Sequence, residues 1–288
     1  MPESATQLYL DAPLQRIDLG ATRVAYRRYG AGPALLLVHG FPLSGFTWRK
    51  ILPALSAKYT CYLPDLAGLG ETQWTGETDF SFPGHARNLQ RFVDQLGLKR
   101  YGVLAQDTGG TIARHLALAD VARIDKLALI NTEVPHHRPP WIQLYQALMV
   151  LPGTLTGFRL LMRSRLFLRS GMGFGGCFSD LSLIDGDFHE QVVAPLLRSS
   201  HRLEGMGRYL RGLKWHDVDS LAEGHARLAM PVHLIWGADD PTFPIKYARE
   251  MVKQFPRATL AEIPGGKLLV HEEMPDAIAR ACLAFFGG

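Results

Sequence analysis

The sequence predicts an α/β protein with a mainly parallel sheet and helices on both faces, and three observations lead there. Short apolar runs bounded by turn residues alternate with longer segments of helical period. That alternation stops between residues 135 and 227, where helical patterns broken by Pro-Gly and Gly-rich turns take over. A chain of 288 residues, 47% hydrophobic and 20% charged, can bury a sizeable core and is ordinary for a globular enzyme.

The first elements are 15–19 and 22–29, joined by Gly20 and Ala21, which read as an antiparallel hairpin at one sheet edge. Strands follow at Ala34–Val38, Thr60–Leu63, Tyr101–Ala105, Leu127–Ile130, Val232–Trp236 and Thr259–Ile263, which with the hairpin make an eight-stranded sheet. Helical stretches lie between them at Gly84–Leu96, Thr111–Leu118 and Pro244–Phe255. Residues 1–134 and 228–288 then form the core domain, and 135–227 a helical lid inserted between two strands. Within the lid the run Gly171–Phe178 is either a loop over the site or a helix terminator.

Composition excludes several classes of function. The net charge is +4, but Lys and Arg are interleaved with acids, so no stripe suited to nucleic acid appears. Arg159, Arg163, Arg165 and Arg169 are spaced so that their stems can cover an apolar helix while the heads reach water. Cys61, Cys177 and Cys282 are odd in number and far apart, which indicates neither a disulfide framework nor zinc and fits a reducing compartment. Residues 1–13 lack an apolar core segment, and no run reaches about 18 apolar residues. The expectation is a cytoplasmic protein with no nucleic-acid or membrane partner. His136-His137 has no third ligand at metal spacing, so no metal is expected.

The chemistry centres on Ala105-Gln106-Asp107-Thr108-Gly109-Gly110, directly after one strand and directly before a helix. A sharp strand-to-helix turn needs small residues two before and two after its apex, and Ala105 and Gly109 supply them. Taken alone, Asp107 reads as a helix N-cap. Two other strand ends change that: His39-Gly40-Phe41-Pro42 after one, and Trp236-Gly237-Ala238-Asp239-Asp240-Pro241 after another. Three such ends in this chain order resemble, over nearly the full chain, the aspartate-nucleophile branch of the α/β hydrolases, with its epoxide hydrolases and haloalkane dehalogenases.

That resemblance implies an α/β-hydrolase fold in which Asp107 opens a carbon electrophile and forms an alkyl-enzyme ester that water hydrolyses. It implies an oxyanion hole from the N–H groups of Phe41 and Thr108, and Asp240 as the acid that orients a histidine, with Glu133 as the alternative. His39 and the turn Pro64–Gly70, with Asp65, take structural roles. Thr108 stands where dehalogenases carry a halide-binding tryptophan, and Phe41 where they carry asparagine, so no halide cradle is evident. HGFP and two lid tyrosines, Tyr145 and Tyr209, fall near the places where epoxide hydrolases keep theirs to protonate the epoxide oxygen. The tryptophan usual after the nucleophile is missing there too. No metal or organic cofactor is implied. The substrate is expected to be a small apolar molecule between sheet and lid, and the chain a monomer or homodimer.

The histidine base of these families lies about seven residues before the proline that opens the last helix. Counting back from Pro275 reaches Leu268. Several substitutes stay open: His271 one helical turn later, Lys267 with a lowered pKa, or the lid histidines His136, His137, His189 and His201. Otherwise the chain binds or forms something at Asp107 without fast turnover. The resemblance implies an epoxide hydrolase-like enzyme acting on a hydrophobic epoxide, with a haloalkane dehalogenase-like hydrolase or a degenerate small-molecule-binding relative as the alternatives.

Overall fold

The computed structural model describes residues 4–287, so residues 1–3 and 288 of the expected core domain lie outside the described residues. Strands β1 (Gln15–Asp18) and β2 (Thr22–Tyr29) form the antiparallel hairpin, Gln15 facing Tyr26. Gly20 makes the turn with φ of 83°, and Asp18 Oδ1 accepts from its N–H at 2.8 Å. The sheet continues with β3 (Ala34–Val38), β4 (Thr60–Pro64), β5 (Gln73–Trp74), β6 (Tyr101–Gln106), β7 (Ile124–Ile130), β8 (Val232–Gly237) and β9 (Ala258–Ile263).

The strand order is β1-β2-β4-β3-β6-β7-β8-β9, and all pairings from β4 to β9 are parallel. The expected eight strands form this path; the sheet has a ninth, β5, two residues long and paired to β2 beside it. Such a strand has too few residues to show an alternation. β6 is buried throughout, and only Ala34 of β3 is partly accessible, because helices cover both faces of these central strands. That is why they read as unbroken apolar runs.

The chain leaves β3 toward β4 and returns past it to β6, so the strand order reverses around β3. A crevice opens outside the carboxyl ends of strands where order reverses, the usual place for a ligand in open parallel sheets. The β3 end carries His39–Pro42 and the β6 end carries Asp107.

The helix Phe82–Gln95 starts on Ser81, whose hydroxyl accepts from Gly84 N at 3.0 Å. An N-terminal helix, Ala5–Asp11, has no counterpart in the sequence reading. It is anchored by one residue, Tyr9, stacked on Tyr29 and edge-on to Phe46. Between β7 and β8 the described residues form helices and turns with no strand, including Pro140–Leu148, Thr154–Leu161, Arg165–Leu168 and Ser200–Gly212. The Gly171–Phe178 run does both things open to it. It ends the Arg165–Leu168 helix, with Phe174 N donating to Leu168 O at 2.7 Å, and it reaches the core, where Leu269 N donates to Cys177 O at 3.1 Å. No helix among the described residues is long and apolar enough to cross a membrane.

Candidate functional site

Asp107 sits at the apex of the β6-to-helix turn with φ 51° and ψ −133°, a conformation that non-glycine residues rarely hold. Crowding enforces it. A Cβ on Gly109 would lie 2.3 Å from the His39 carbonyl oxygen, and one on Gly40 would lie 2.5 Å from the Asp107 carboxylate. These glycines let the β3 loop and the elbow pass at van der Waals contact. Phe41 N donates to Asp107 Oδ2 at 2.8 Å, and the Thr108 N–H also reaches the carboxylate. The two N–H groups expected as an oxyanion hole thus both lie at the Asp107 carboxylate. His39, fully buried, bonds Gly40 O through Nδ1 and accepts from Leu66 N through Nε2, which occupies both ring nitrogens with backbone.

Asp107 and Glu133 both line a cavity of about 550 Å³ between the sheet and the helices that follow β7. Its walls are largely apolar, with Trp141, Phe158, Phe167, Met162 and Met206 among them. Burial and then the neighbouring Glu133 charge hold the Asp107 carboxyl well above the usual carboxylate range, against the pull of the two N–H groups. Glu133 is also raised, chiefly by burial. Its Oε2 accepts from Thr111 Oγ1 at 2.6 Å and from Thr132 Oγ1 at 3.2 Å, and Arg114, itself fully buried, bonds the Glu133 carbonyl at 2.7 Å. Thr132 Oγ1 also bonds Asp107 O at 2.8 Å, so one hydroxyl touches both residues.

Asp240 is buried at the end of β8, and burial pushes its carboxyl up to about 6. Both of its oxygens are taken: Asn131 Nδ2 donates to one at 2.7 Å and Thr242 N to the other at 2.7 Å. Leu268 lines the cavity and no histidine does, among the described residues. His271 is not brought to the cavity. It is enclosed beside the Gly45–Trp48 turn, its Nε2 2.6 Å from Thr47 Oγ1 and its ring against Trp48; burial lowers its pKa to about 3. The Lys267 ammonium donates to Phe178 O at 3.0 Å. Of the lid histidines, His137 bonds Thr242 O and stacks on Tyr247, and His201 stacks on Trp74. His136 and His189 lie beside Asp219 and Glu190.

The two tyrosines part company. Tyr145 lines the cavity from the Pro140–Leu148 helix and donates to Met172 O. Tyr209 lies behind the wall, fully buried, stacked on Phe41 with its hydroxyl 2.8 Å from Thr108 Oγ1. Two features of the site were not singled out from the sequence. One is Cys177, a cavity-lining thiol pushed up by burial and by the charges of Asp240 and Asp107. The other is the Thr111–Arg114–Thr132 clamp on Glu133. The sequence signal for it is an arginine inside the apolar stretch Ile112–Ala117.

The strand order, the elbow and the Phe41 N–H beyond β3 define an α/β-hydrolase fold, and the family described as alpha/beta hydrolase fold matches residues 33–170. Haloalkane dehalogenase 2 of Mycobacterium tuberculosis is 28% identical over 94% of this chain and 93% of its own length. A soluble epoxide hydrolase from a Corynebacterium species is 27% identical over 92% of this chain and 93% of its own. A solved α/β hydrolase fold protein from Burkholderia ambifaria has a TM-score of 0.81 at 24% identity, covering 94% of this chain and 97% of that one. The chain has the α/β-hydrolase fold, and its sequence is similar to those of epoxide hydrolases and haloalkane dehalogenases.

Proposed function

We propose that this protein opens an epoxide on an apolar molecule by forming an alkyl ester on Asp107. The observation that carries this is the Asp107 carboxylate at a strained elbow, one oxygen on the Phe41 N–H at 2.8 Å, on the floor of a largely apolar cavity. A buried carboxylate so held is a nucleophile toward carbon; for ordinary ester hydrolysis an aspartate apex has no use. The free Asp107 oxygen attacks an epoxide carbon, the C–O bond breaks, and the alkoxide takes the Tyr145 proton. Tyr145 is the tyrosine on the cavity wall; its hydroxyl turns from Met172 O to the alkoxide as the ring opens, and its phenol is later reprotonated from solvent. Tyr209 positions Thr108 through their shared hydrogen bond.

Hydrolysis then turns on Glu133. Ester formation removes the Asp107 charge, and with it the like-charge repulsion that favours the protonated form of the pair. Arg114 and the two threonine hydroxyls favour Glu133 as a carboxylate. Glu133 takes a proton from water as the water oxygen attacks the Asp107 carboxyl carbon, and the Phe41 and Thr108 N–H groups hold the developing oxyanion. The C–O bond to the substrate breaks, and the diol leaves with its proton returned from Glu133. Asp240 ties β8 to Asn131, and His271 transfers no proton. Bromoalkane chemistry is less favoured: Thr108 and Phe41 offer a halide neither an indole nor an amide side-chain N–H beside Asp107.

Intact-mass measurement after incubation with styrene oxide tests the proposal. An adduct on the wild type, absent from Asp107→Asn, with diol accumulating slowly, is the expected result. An unmodified chain that makes no diol sinks it. Ligand-induced stabilisation with no adduct would favour a binding protein, which Leu268 in the place of the base also suits; bromide release without diol would favour a dehalogenase.

A further inference from the structure

The outer side of the lid carries what the cavity side does not explain. Of the ten large hydrophobic side chains exposed among the described residues, eight fall between Leu144 and Met172, and all of these but Met172 lie outside the cavity lining. Leu166 is 84% exposed, Val150 69%, Leu160 65% and Leu151 56%. Scattered exposed leucines are normal, but a cluster of this kind marks a binding surface. The cluster is contiguous. Tyr145 packs edge-on to Phe158 and Phe158 edge-on to Phe167, which fastens the three helices Pro140–Leu148, Thr154–Leu161 and Arg165–Leu168 side by side along the cavity. Their remaining apolar residues then face outward together.

Charge says what covers it. From Val134 to Ser179 the sequence holds five arginines and no Asp, Glu or Lys. Arg138 and Arg169 pair with Asp219 and Asp185, and Arg159 bonds Leu197 O. Arg163 and Arg165 are exposed and have no carboxylate partner among the described residues. They flank Leu160, Leu161 and Leu166, so the arginine stems do not cover the apolar surface as their spacing suggests; the leucines themselves meet solvent. A second copy of this chain would set these arginines against their own kind across a two-fold axis. An anionic phospholipid surface satisfies both features, with phosphates for the guanidinium groups and acyl chains for the leucines.

We infer that the lid docks on a membrane surface rich in anionic phospholipid, with Leu160, Leu161 and Leu166 in the interfacial region and Arg163 and Arg165 among the headgroups. The helices that dock also wall the cavity, since Tyr145, Met149, Phe158 and Met162 line it from within. The docking holds whatever chemistry Asp107 performs.

Co-sedimentation of the full chain with vesicles of phosphatidylcholine, with and without phosphatidylglycerol, tests it. Binding to the phosphatidylglycerol vesicles, much weaker binding to the neutral ones and release at high salt are expected. Each exposed arginine is worth about fivefold in partitioning, so Arg163→Gln with Arg165→Gln lowers it about 25-fold. Leu166→Ser, at a site too exposed to affect folding, weakens binding as well. Wild type that stays in the supernatant with both vesicle types overturns the inference. So does equal, salt-insensitive binding to both, or a concentration-dependent dimer abolished by Leu166→Ser, which would make the patch a self-association face. Styrene oxide labelling without vesicles stays unchanged in these variants, so failure at the membrane is separable from failure at Asp107.

Discussion

Two carboxyl groups share the floor of the cavity, and each sets the protonation of the other. In the proposed reaction Asp107 must be ionised to attack carbon, yet burial and the Glu133 charge both favour its neutral form. Adduct formation therefore rises with pH through a range well above that of an ordinary carboxylate. Replacing Glu133 with Gln removes a negative neighbour, so the Asp107 carboxyl falls and the rise in adduct formation moves to lower pH. The same change removes the general base, and loss of the adduct slows by about 10²- to 10⁴-fold. A pH profile of labelling, followed by a chase in excess water, measures both; unmoved profiles would remove Glu133 from the mechanism. The turn that carries Asp107 was legible in the sequence because its requirements are local: a strand, small flanking residues and a helix. The weight carried by Glu133 was not, because its partners Thr111, Arg114 and Thr132 lie on two elements that only the fold brings together.

At the level of elements, the loop from β9 to the last helix carries the main departure from the family pattern. Leu268 reaches the cavity from this loop, and His271, three residues on, turns to the opposite side and packs on Thr47 and Trp48. A one-turn offset moves a side chain out of a pocket, and counting along the chain cannot show which way it turns. Leu268→His puts an imidazole beside Asp107 in a site of similar volume, and diol turnover is expected to rise by about 10²-fold or more. Steady-state diol formation checks this; unchanged turnover with an intact fold would mean that the loop no longer presents its residue to the ester. The central strands were placed within about three residues by their apolar runs, since burial on both faces writes itself into sequence. β5 and the Ala5–Asp11 helix were not, because two paired residues and one anchoring tyrosine leave no period to read. The two lid tyrosines stood at equally suitable distances, and only packing separates the wall residue Tyr145 from the buried Tyr209.

Over the whole molecule, buried titratable groups of opposite kind set the response to acid. Burial lowers His39 to about 4 and His85, His225 and His271 to about 3. Unfolded histidines bind protons near 6.5, so their contribution to stability is complete above that value and is lost as pH falls toward the folded values. Burial raises Asp65 and Asp240 to about 6, and raises Asp107 and Glu133 as well. The folded state keeps these protons where the unfolded chain gives them up. Their contribution is complete below the ordinary carboxylate pKa and is lost as pH rises through the folded values. From about pH 6 down to about 4.5 the two sets oppose each other. Below about 4 the unfolded carboxyls protonate too and their difference closes, so the histidine deficit is unopposed and is joined by the loss from the lowered carboxyls of Asp79, Asp180, Asp219 and Glu262. Urea unfolding should therefore show a stability that changes little between pH 6 and 4.5 and drops steeply below about 4. His85→Phe isolates one histidine. Its Nε2 has no hydrogen-bond partner among the described residues and its ring packs on Phe80 and Tyr209, so phenylalanine suits the site. The variant should lose less stability on acidification than the wild type, by about 1.4 kcal/mol for each pH unit over which His85 alone would have taken up its proton. Parallel curves for the two proteins would mean that His85 is already charged in the folded state.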